Sequence, residues 1–210
     1  MNNLFKGWRK FLAEEKSKIQ IYCDMDGVIV NFEDGVVDYI NADLKNQKRV
    51  PEQKLKKLNK MRDKLEKLGR AQEIELEDMT RNSDTNIKEV RDYMYARVSD
   101  NYEFWKDLNW RSDGQDLWNF IKDITPQVII LTAPMPGEGC RRGKIDWVKK
   151  NLGSRYNVIL EEDKWKHSRT NRLLIDDTYS KIEPWAQKGG LVVHHQNSKD
   201  SINQLREILL

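Results

Sequence analysis

The stretch that most constrains the fold of this chain covers residues 18–32, where a short apolar segment meets an acidic turn. Its β-forming residues, among them Ile21 and Tyr22, predict a buried strand that stops at Asp24 and Asp26. In an open parallel sheet, ligands bind at the carboxyl ends of the strands. Two carboxylates this close repel each other unless a divalent cation or a proton neutralises them. The stretch therefore predicts a ligand site at the end of the first strand.

Short apolar segments alternate with helical patterns along much of the chain. Five of these segments are typical of buried strands: 19–23, 128–132, 158–160, 173–175 and 191–193. The alternation predicts an α/β fold, with a Rossmann-like five-stranded parallel sheet and helices on both faces. Ser112–Gln115 has the pattern of a helix capping box. Cys23, inside the first strand, is expected to be a small core residue.

Composition and periodicity divide the chain into three parts. Residues 1–17 predict an amphipathic helix that packs on the domain, and 18–42 with 104–210 form the predicted α/β core. Residues 43–103 predict an inserted helical hairpin, which we interpret as a cap. Its first arm, 45–70, is strongly basic and the segment after it is acidic. Two interpretations stay open: the charges pair with each other, or the basic arm binds nucleic acid.

The overall charge gives no reason to expect binding to nucleic acid or to a membrane. The 37 basic and 34 acidic residues leave a formal charge of +3, which predicts no general attraction to nucleic acid or membrane. We find neither an apolar run long enough to span a bilayer nor the apolar core of a signal peptide. Two cysteines are too few for a metal motif and fit a reducing compartment. We therefore expect a soluble, cytoplasmic protein with no membrane partner.

Polar residues suited to phosphate chemistry follow three of the predicted strands. Asp24 and Asp26 end the first, Thr132 ends the second, and Asp176-Asp177 ends the fourth. Because parallel strands share one carboxyl edge, we expect these residues to converge. Carboxylates from two strand ends would supply the oxygen ligands that Mg²⁺ prefers. The hydroxyl of Thr132 and the following amide would hold phosphate oxygens.

A positive charge completes such a site, because phosphoryl transfer depends mainly on positioning and charge stabilisation. Three residues downstream of Thr132 are candidates for this cation: Lys144, Lys164 and Lys166. Each element also has an ordinary structural interpretation, since threonine ends many strands and most lysines are solvated. The order of the complete set is the stronger signal.

That order resembles the four motifs of the haloacid-dehalogenase-like (HAD) superfamily of phosphatases. The matching elements are Asp24-Met-Asp-Gly-Val28, the strand ending in Thr132, a lysine, and Leu173-Leu-Ile-Asp-Asp177. A narrower resemblance is to the 5′(3′)-deoxyribonucleotidases, which remove phosphate from nucleoside monophosphates using Mg²⁺. It rests additionally on Asn31-Phe-Glu33, Phe104-Trp105, Ile130-Leu-Thr-Ala-Pro134, Lys144-Ile-Asp-Trp-Val148 and Asp163-Lys164.

The resemblance implies a role for each matching residue. Asp24 would be the nucleophile, and Asp26 would protonate the leaving group and later activate water. Asp24, the carbonyl of Asp26 and Asp176 would bind the Mg²⁺, with Asp177 in support. The residues that would bind the substrate phosphate are Thr132, Ala133, Lys144 and Lys164. Those that would stack on the base are Phe32 with Phe104 or Trp105, although these aromatic residues suit a core equally well.

The chain also departs from the family pattern. The insertion is longer and more charged than a short helical cap, and caps select what enters the site. Two additional residues separate Lys164 from the Leu-Leu-Ile-Asp-Asp motif, so Lys166 is an alternative to it. Proteins of this type also occur in bacteriophages, and residues 3–12 resemble short N-terminal stretches of phage proteins.

Three functions are compatible with these patterns. The leading expectation is a Mg²⁺-dependent phosphomonoesterase, a 5′-nucleotidase whose small-molecule substrate is a deoxyribonucleoside monophosphate. The second is a phosphatase that acts on nucleic-acid ends held by the basic arm, 45–70. The third is a non-catalytic, receiver-like phospho-acceptor or interaction domain. A second carboxylate such as Asp26 favours an enzyme, because a phospho-acceptor alone needs no acid and base.

Overall fold

A computed structural model of the protein describes residues 19–70, 73–79, 87–125 and 127–209. The predicted N-terminal helix, 1–17, lies outside these residues. The described residues form two compact units, which we name the sheet unit and the helical unit. The sheet unit draws on the ranges 19–30, 110–134 and 148–209, and the helical unit on 31–109 and 135–147. The predicted insertion, 43–103, falls within the helical unit.

The sheet unit is built on one five-stranded parallel sheet. Its strands are β1 (Gln20–Cys23), β2 (Val128–Thr132), β3 (Asn157–Leu160), β4 (Arg172–Asp176) and β5 (Leu191–His194). They lie in the order β3-β2-β1-β4-β5, and every neighbouring pair is parallel. This arrangement confirms the predicted α/β fold class, and the order matches that of doubly wound nucleotide-binding sheets.

Helices account for most of the remaining described residues. They are α1 (Phe32–Lys45), α2 (Glu52–Lys67), α3 (Lys88–Val98), α4 (Tyr102–Lys106), α5 (Gly114–Ile124), α6 (Glu138–Asn151), α7 (Tyr179–Gln187) and α8 (Ser198–Leu209). Short 3₁₀ helices cover Gln47–Arg49, Leu76–Asp78 and Lys164–His167. Among the described residues, no helix has both the length and the apolar character needed to cross a membrane.

Both faces of the central strand β1 are covered. Ile21 and Cys23 point to one face and Tyr22 to the other, and all three are buried. The Tyr22 ring packs edge-on against Trp185 of α7, with 5.3 Å between ring centroids. A strand buried on two faces reads as a continuous apolar run, which is why these segments were recognisable in the sequence.

The predicted capping box at Ser112–Gln115 is wrong. Helix α5 begins at Gly114, and Asp113 at its N-cap makes no side-chain hydrogen bond to the helix. The Asp113 carboxylate instead accepts a hydrogen bond from the backbone N–H of Ser198, at 2.7 Å, where α8 begins. Asp113 therefore joins two helix starts that are far apart in sequence.

The helical unit is held together by a buried acid as well as by apolar contacts. Helices α2 and α3 pack against each other, and Lys60 of α2 pairs with Glu89 of α3 at 3.8 Å. Asp43 of α1 is fully buried and pairs with Arg97 at 2.7 Å and Arg49 at 3.0 Å. Arginine pairs of this kind fix the relative positions of α1 and α3.

Each unit contains one cysteine. Cys23 lies in β1 and Cys140 in the helical-unit part of α6, and both are fully buried. Burial, followed by the nearby charge of Asp24, raises the pKa of the Cys23 thiol well above its ordinary value. Cys23 is therefore an inert core residue, as its place in an apolar strand predicted.

Candidate active site

Three carboxylates meet at the carboxyl edge of the sheet. Asp24, Asp176 and Asp177 each place one oxygen within 4.8 Å of the other two. Asp24 follows β1 directly and Asp176 ends β4, and these two strands are paired neighbours. The Asp24 backbone N–H donates to Ile175 O at 2.9 Å, which extends the strand pairing to the level of the acids. The group lies beside the strand at which the sheet order reverses, where open α/β sheets bind ligands.

Lys164 is the cation of this group. Its ammonium lies 2.6 Å from Oδ2 of Asp176 and 2.8 Å from Oδ1 of Asp24, and the side chain is only 2% exposed. Lys166 instead pairs with Glu161 and Asp163 and is 47% exposed. The two lysines start a 3₁₀ helix with three residues per turn, so side chains two positions apart face different directions. The structure thus places Lys164, rather than Lys166, against the acids.

Gly27 makes room for the third carboxylate. Its φ of +73° is a left-handed conformation that residues with a Cβ rarely adopt. A Cβ built on Gly27 would lie 2.2 Å from Oδ2 of Asp177, so the carboxylate occupies the space that a side chain would need. The glycine of the Asp24-Met-Asp-Gly turn is therefore required for two reasons, its backbone conformation and its contact with Asp177.

The turn after β1 is braced by a residue that the sequence analysis did not identify. Arg111 donates from Nη1 to the carbonyl of Gly27 at 3.0 Å and pairs through Nε with Asp113 at 3.2 Å. Its backbone N–H also donates to Ile29 O at 3.0 Å. No local pattern marks such a role, since 84 residues separate Arg111 from Gly27. Arg111 holds the turn that carries Asp24 and Asp26.

The charges in this group perturb one another. Burial, and then the negative charge of Asp24, raises the pKa of Asp176 to about 7 and that of Asp177 to about 6. Asp177 is exposed as a residue, yet its carboxylate loses part of its hydration against Gly27. For Lys164, burial alone would lower the pKa, but the charges of Asp24 and Asp176 outweigh it and raise it. The site therefore holds more negative charge than one ammonium neutralises.

Thr132, Ala133 and Asp26 are the remaining predicted residues of the sheet unit. Thr132 ends β2, is fully buried and is followed by Ala133 at the same carboxyl edge. Asp26 is half-buried within the turn, where it forms an isolated bridge with Val30. Its carboxylate is not part of the three-acid group. The resemblance assigned its carbonyl, rather than its carboxylate, to the metal, and that assignment stays a prediction.

The other predicted residues belong to the helical unit and form a cluster of their own. Trp105 is 1% exposed, stacks on Phe32 with 5.1 Å between centroids, and donates from Nε1 to Val98 O at 2.7 Å. The ammonium of Lys144 lies 4.9 Å from the centre of the Trp105 ring, and Phe104 packs edge-on against the same ring. Trp105 is thus a core side chain, and of the three aromatic residues only Phe32 is half-buried rather than buried.

Comparison with solved structures identifies the fold. A HAD-superfamily hydrolase from Ehrlichia chaffeensis superposes with a TM-score of 0.53, covering 91% of this chain and 97% of that one. The chain has the fold of a HAD-superfamily hydrolase. The two sequences are 11% identical, so the likeness is one of fold. A Lactobacillus delbrueckii subsp. bulgaricus protein, provisionally named a phosphoglycolate phosphatase, covers 92% of this chain and 98% of its own at 11% identity, with a TM-score of only 0.44.

No protein-family model matches the sequence, and neither does any curated protein. The HAD-type fold and the acid group are therefore the basis for a function. Asp24, Asp176 and Asp177 offer only oxygen ligands, and the pKa values of Asp176 and Asp177 are raised by burial and then by the negative charge of Asp24. A hard divalent cation would offset that negative charge, so the residues present fit such an ion.

Proposed function

We propose that this protein is a Mg²⁺-dependent phosphomonoesterase that acts on nucleoside monophosphates, preferentially those of deoxyribose. The observation that carries the proposal is the convergence of Asp24, Asp176 and Asp177 with Lys164 at the carboxyl edge of a HAD-type sheet. The HAD-type fold supports phosphate-ester hydrolysis, and the nucleotide preference rests on the sequence resemblance.

In the proposed first step, a carboxylate oxygen of Asp24 attacks the substrate phosphorus while the bond from phosphorus to the ester oxygen breaks. Asp26 gives its proton to the leaving oxygen, which departs as the nucleoside hydroxyl. In the second step water attacks the aspartyl phosphate, Asp26 takes a proton from it, and the bond between Asp24 and phosphorus breaks. The second step thus restores the free carboxylate of Asp24 and the proton of Asp26.

The other residues of the sheet unit position and neutralise the phosphate. Lys164 would balance the charge that gathers on the phosphoryl oxygens, and Thr132 with the Ala133 amide would hold those oxygens. Asp24 and Asp176, supported by Asp177, would hold Mg²⁺, which when bound would draw charge from the phosphate and offset the acids. The phosphate contact assigned to Lys144 rests on the resemblance alone.

Phosphate release from a panel of nucleoside monophosphates, sugar phosphates and phosphorylated oligonucleotides tests this proposal. We expect release from deoxyribonucleoside monophosphates, its suppression by a chelator, and its loss in Asp24→Asn. Asp123→Asn, on the exposed side of α5, is the matched control and should retain full activity. Full activity of Asp24→Asn would reject the mechanism. A strong preference for oligonucleotide ends would instead favour the second function considered above.

A further inference from the structure

One aromatic side chain beside the acid group is unusually open to solvent. Tyr179 is 62% exposed, more than any other large hydrophobic residue described, and lies two positions after Asp177. A single exposed tyrosine needs no explanation by itself, because folded proteins expose many apolar atoms. The surroundings of Tyr179 set it apart, since they connect it to the acids.

Its ring packs edge-on against His194, with 6.3 Å between centroids and 63° between planes. His194 Nε2 lies 3.0 Å from the carbonyl oxygen of Asp177 and 3.2 Å from the side-chain amide nitrogen of Gln196, so the imidazole is held against the backbone that follows the acids. His194 is also the register partner of Asp176 across β4 and β5. Thr178, between the acids and Tyr179, donates its N–H to Oδ1 of Asp176 at 2.9 Å.

We propose that Tyr179 and His194 form a stacking shelf for the nucleobase of the substrate. This inference rests on the proposed function and names a specificity element of that site. The shelf is fixed to the same backbone that positions Asp176 and Asp177, and it lies at the sheet edge where ligands bind. Every nucleobase can stack on an aromatic ring, whereas a sugar phosphate has no ring to stack. The shelf would therefore select nucleotides over plain sugar phosphates without distinguishing one base from another.

Two substrates that differ only in the base provide the test: thymidine 5′-monophosphate and 2-deoxyribose 5-phosphate. For Tyr179→Ala we expect kcat/KM to fall about tenfold for the nucleotide and to stay within about twofold for the sugar phosphate. Tyr179→Phe should retain the preference, because it keeps the ring. Tyr95→Ala, which removes an exposed tyrosine of α3, is the matched control.

Equal effects on the two substrates, or no effect on either, would overturn the shelf. The same holds if Phe32→Ala removes the preference while Tyr179→Ala does not, since the base would then be bound by the helical unit. Thymidine binding, measured by calorimetry, separates the shelf from the chemistry. If the wild-type protein hydrolyses no ester, the proposed function fails, and the shelf stands only if thymidine binds and Tyr179→Ala weakens that binding about tenfold.

Discussion

The ammonium of Lys164 donates a hydrogen bond to Oδ2 of Asp176 at 2.6 Å, and this pair is buried at the centre of the candidate site. Removing one member of a buried ion pair leaves the other charge without compensation, which costs about 3–5 kcal/mol. We expect Lys164→Met to lower the free energy of unfolding by an amount of that order in urea denaturation. Added Mg²⁺ should restore part of it.

Lys166→Met is the matched control for that change. Lys166 forms exposed ion pairs that solvent screens, so Lys166→Met should change the free energy of unfolding far less than Lys164→Met. Equal destabilisation by the two substitutions would contradict the assignment of Lys164 as the cation of the acid group.

Gly27 and Gly69 have the same backbone φ but differ in how much room a side chain would have. Both have φ of +73°, but a Cβ on Gly69 would meet nothing within 4 Å, whereas one on Gly27 would collide with Asp177. Gly69→Ala should therefore cost only the left-handed strain, about 1–2 kcal/mol. Gly27→Ala should cost more and should also abolish the rise in Tm on adding Mg²⁺. A normal Mg²⁺ response in Gly27→Ala would show that Asp177 is not needed for the ion.

His195 should make the protein less stable in mild acid. Burial, and then the charge of Arg111, lowers the pKa of His195 from 6.5 to about 4. Above pH 6.5 the imidazole is neutral in both the folded and the unfolded protein, so its contribution to the free energy of unfolding is fully present. As the pH falls from 6.5 toward 4, the unfolded chain binds a proton that the folded protein excludes, and stability is lost.

Unfolding free energies of the wild type and His195→Gln, measured from pH 8 to pH 4, isolate this effect. The raised pKa of Asp176 acts in the opposite direction in both proteins, so it cancels in the difference. The wild type should lose stability more steeply than the variant. Parallel curves would mean that His195 titrates normally in the folded state.

Asp43 should stabilise the helical unit through its charge. Asp43→Asn keeps the size of the side chain but leaves Arg97, whose side chain is 9% exposed, without its buried partner. We expect a loss of about 3–5 kcal/mol in unfolding free energy. Asp38→Asn, an exposed position on the same helix, should change it by less than about 0.5 kcal/mol. Similar losses in the two variants would indicate a helix effect rather than an ion-pair effect.

Sequence patterns predicted the sheet because each strand is a buried apolar run with a clear end. Asp24, Thr132 and Asp176 were predictable for the same reason, since a strand end fixes which edge of the sheet a residue occupies. The parallel pairing then brought Asp24 and Asp176 together without any further information.

What escaped prediction depends on contacts between distant segments. Asp113 belongs to the wrongly predicted capping box and Arg111 to no predicted motif, yet Asp113 binds Ser198 and Arg111 binds Gly27. The choice between Lys164 and Lys166 was undecided, because a 3₁₀ helix rather than the spacing of charges sets their directions. A periodic sequence pattern predicts which face of a helix or strand is buried. It does not predict which side chains of a distant segment pack against that face.

The burial of one thiol in each unit makes alkylation a reporter of local opening. A thiol reagent can reach Cys23 only when the sheet unit opens, and Cys140 only when the helical unit opens. The sequence holds no other cysteine, so the two labelled peptides, separated by mass spectrometry, report the two units independently. Their labelling rates, followed as substrate or Mg²⁺ is added, would show which unit each ligand protects.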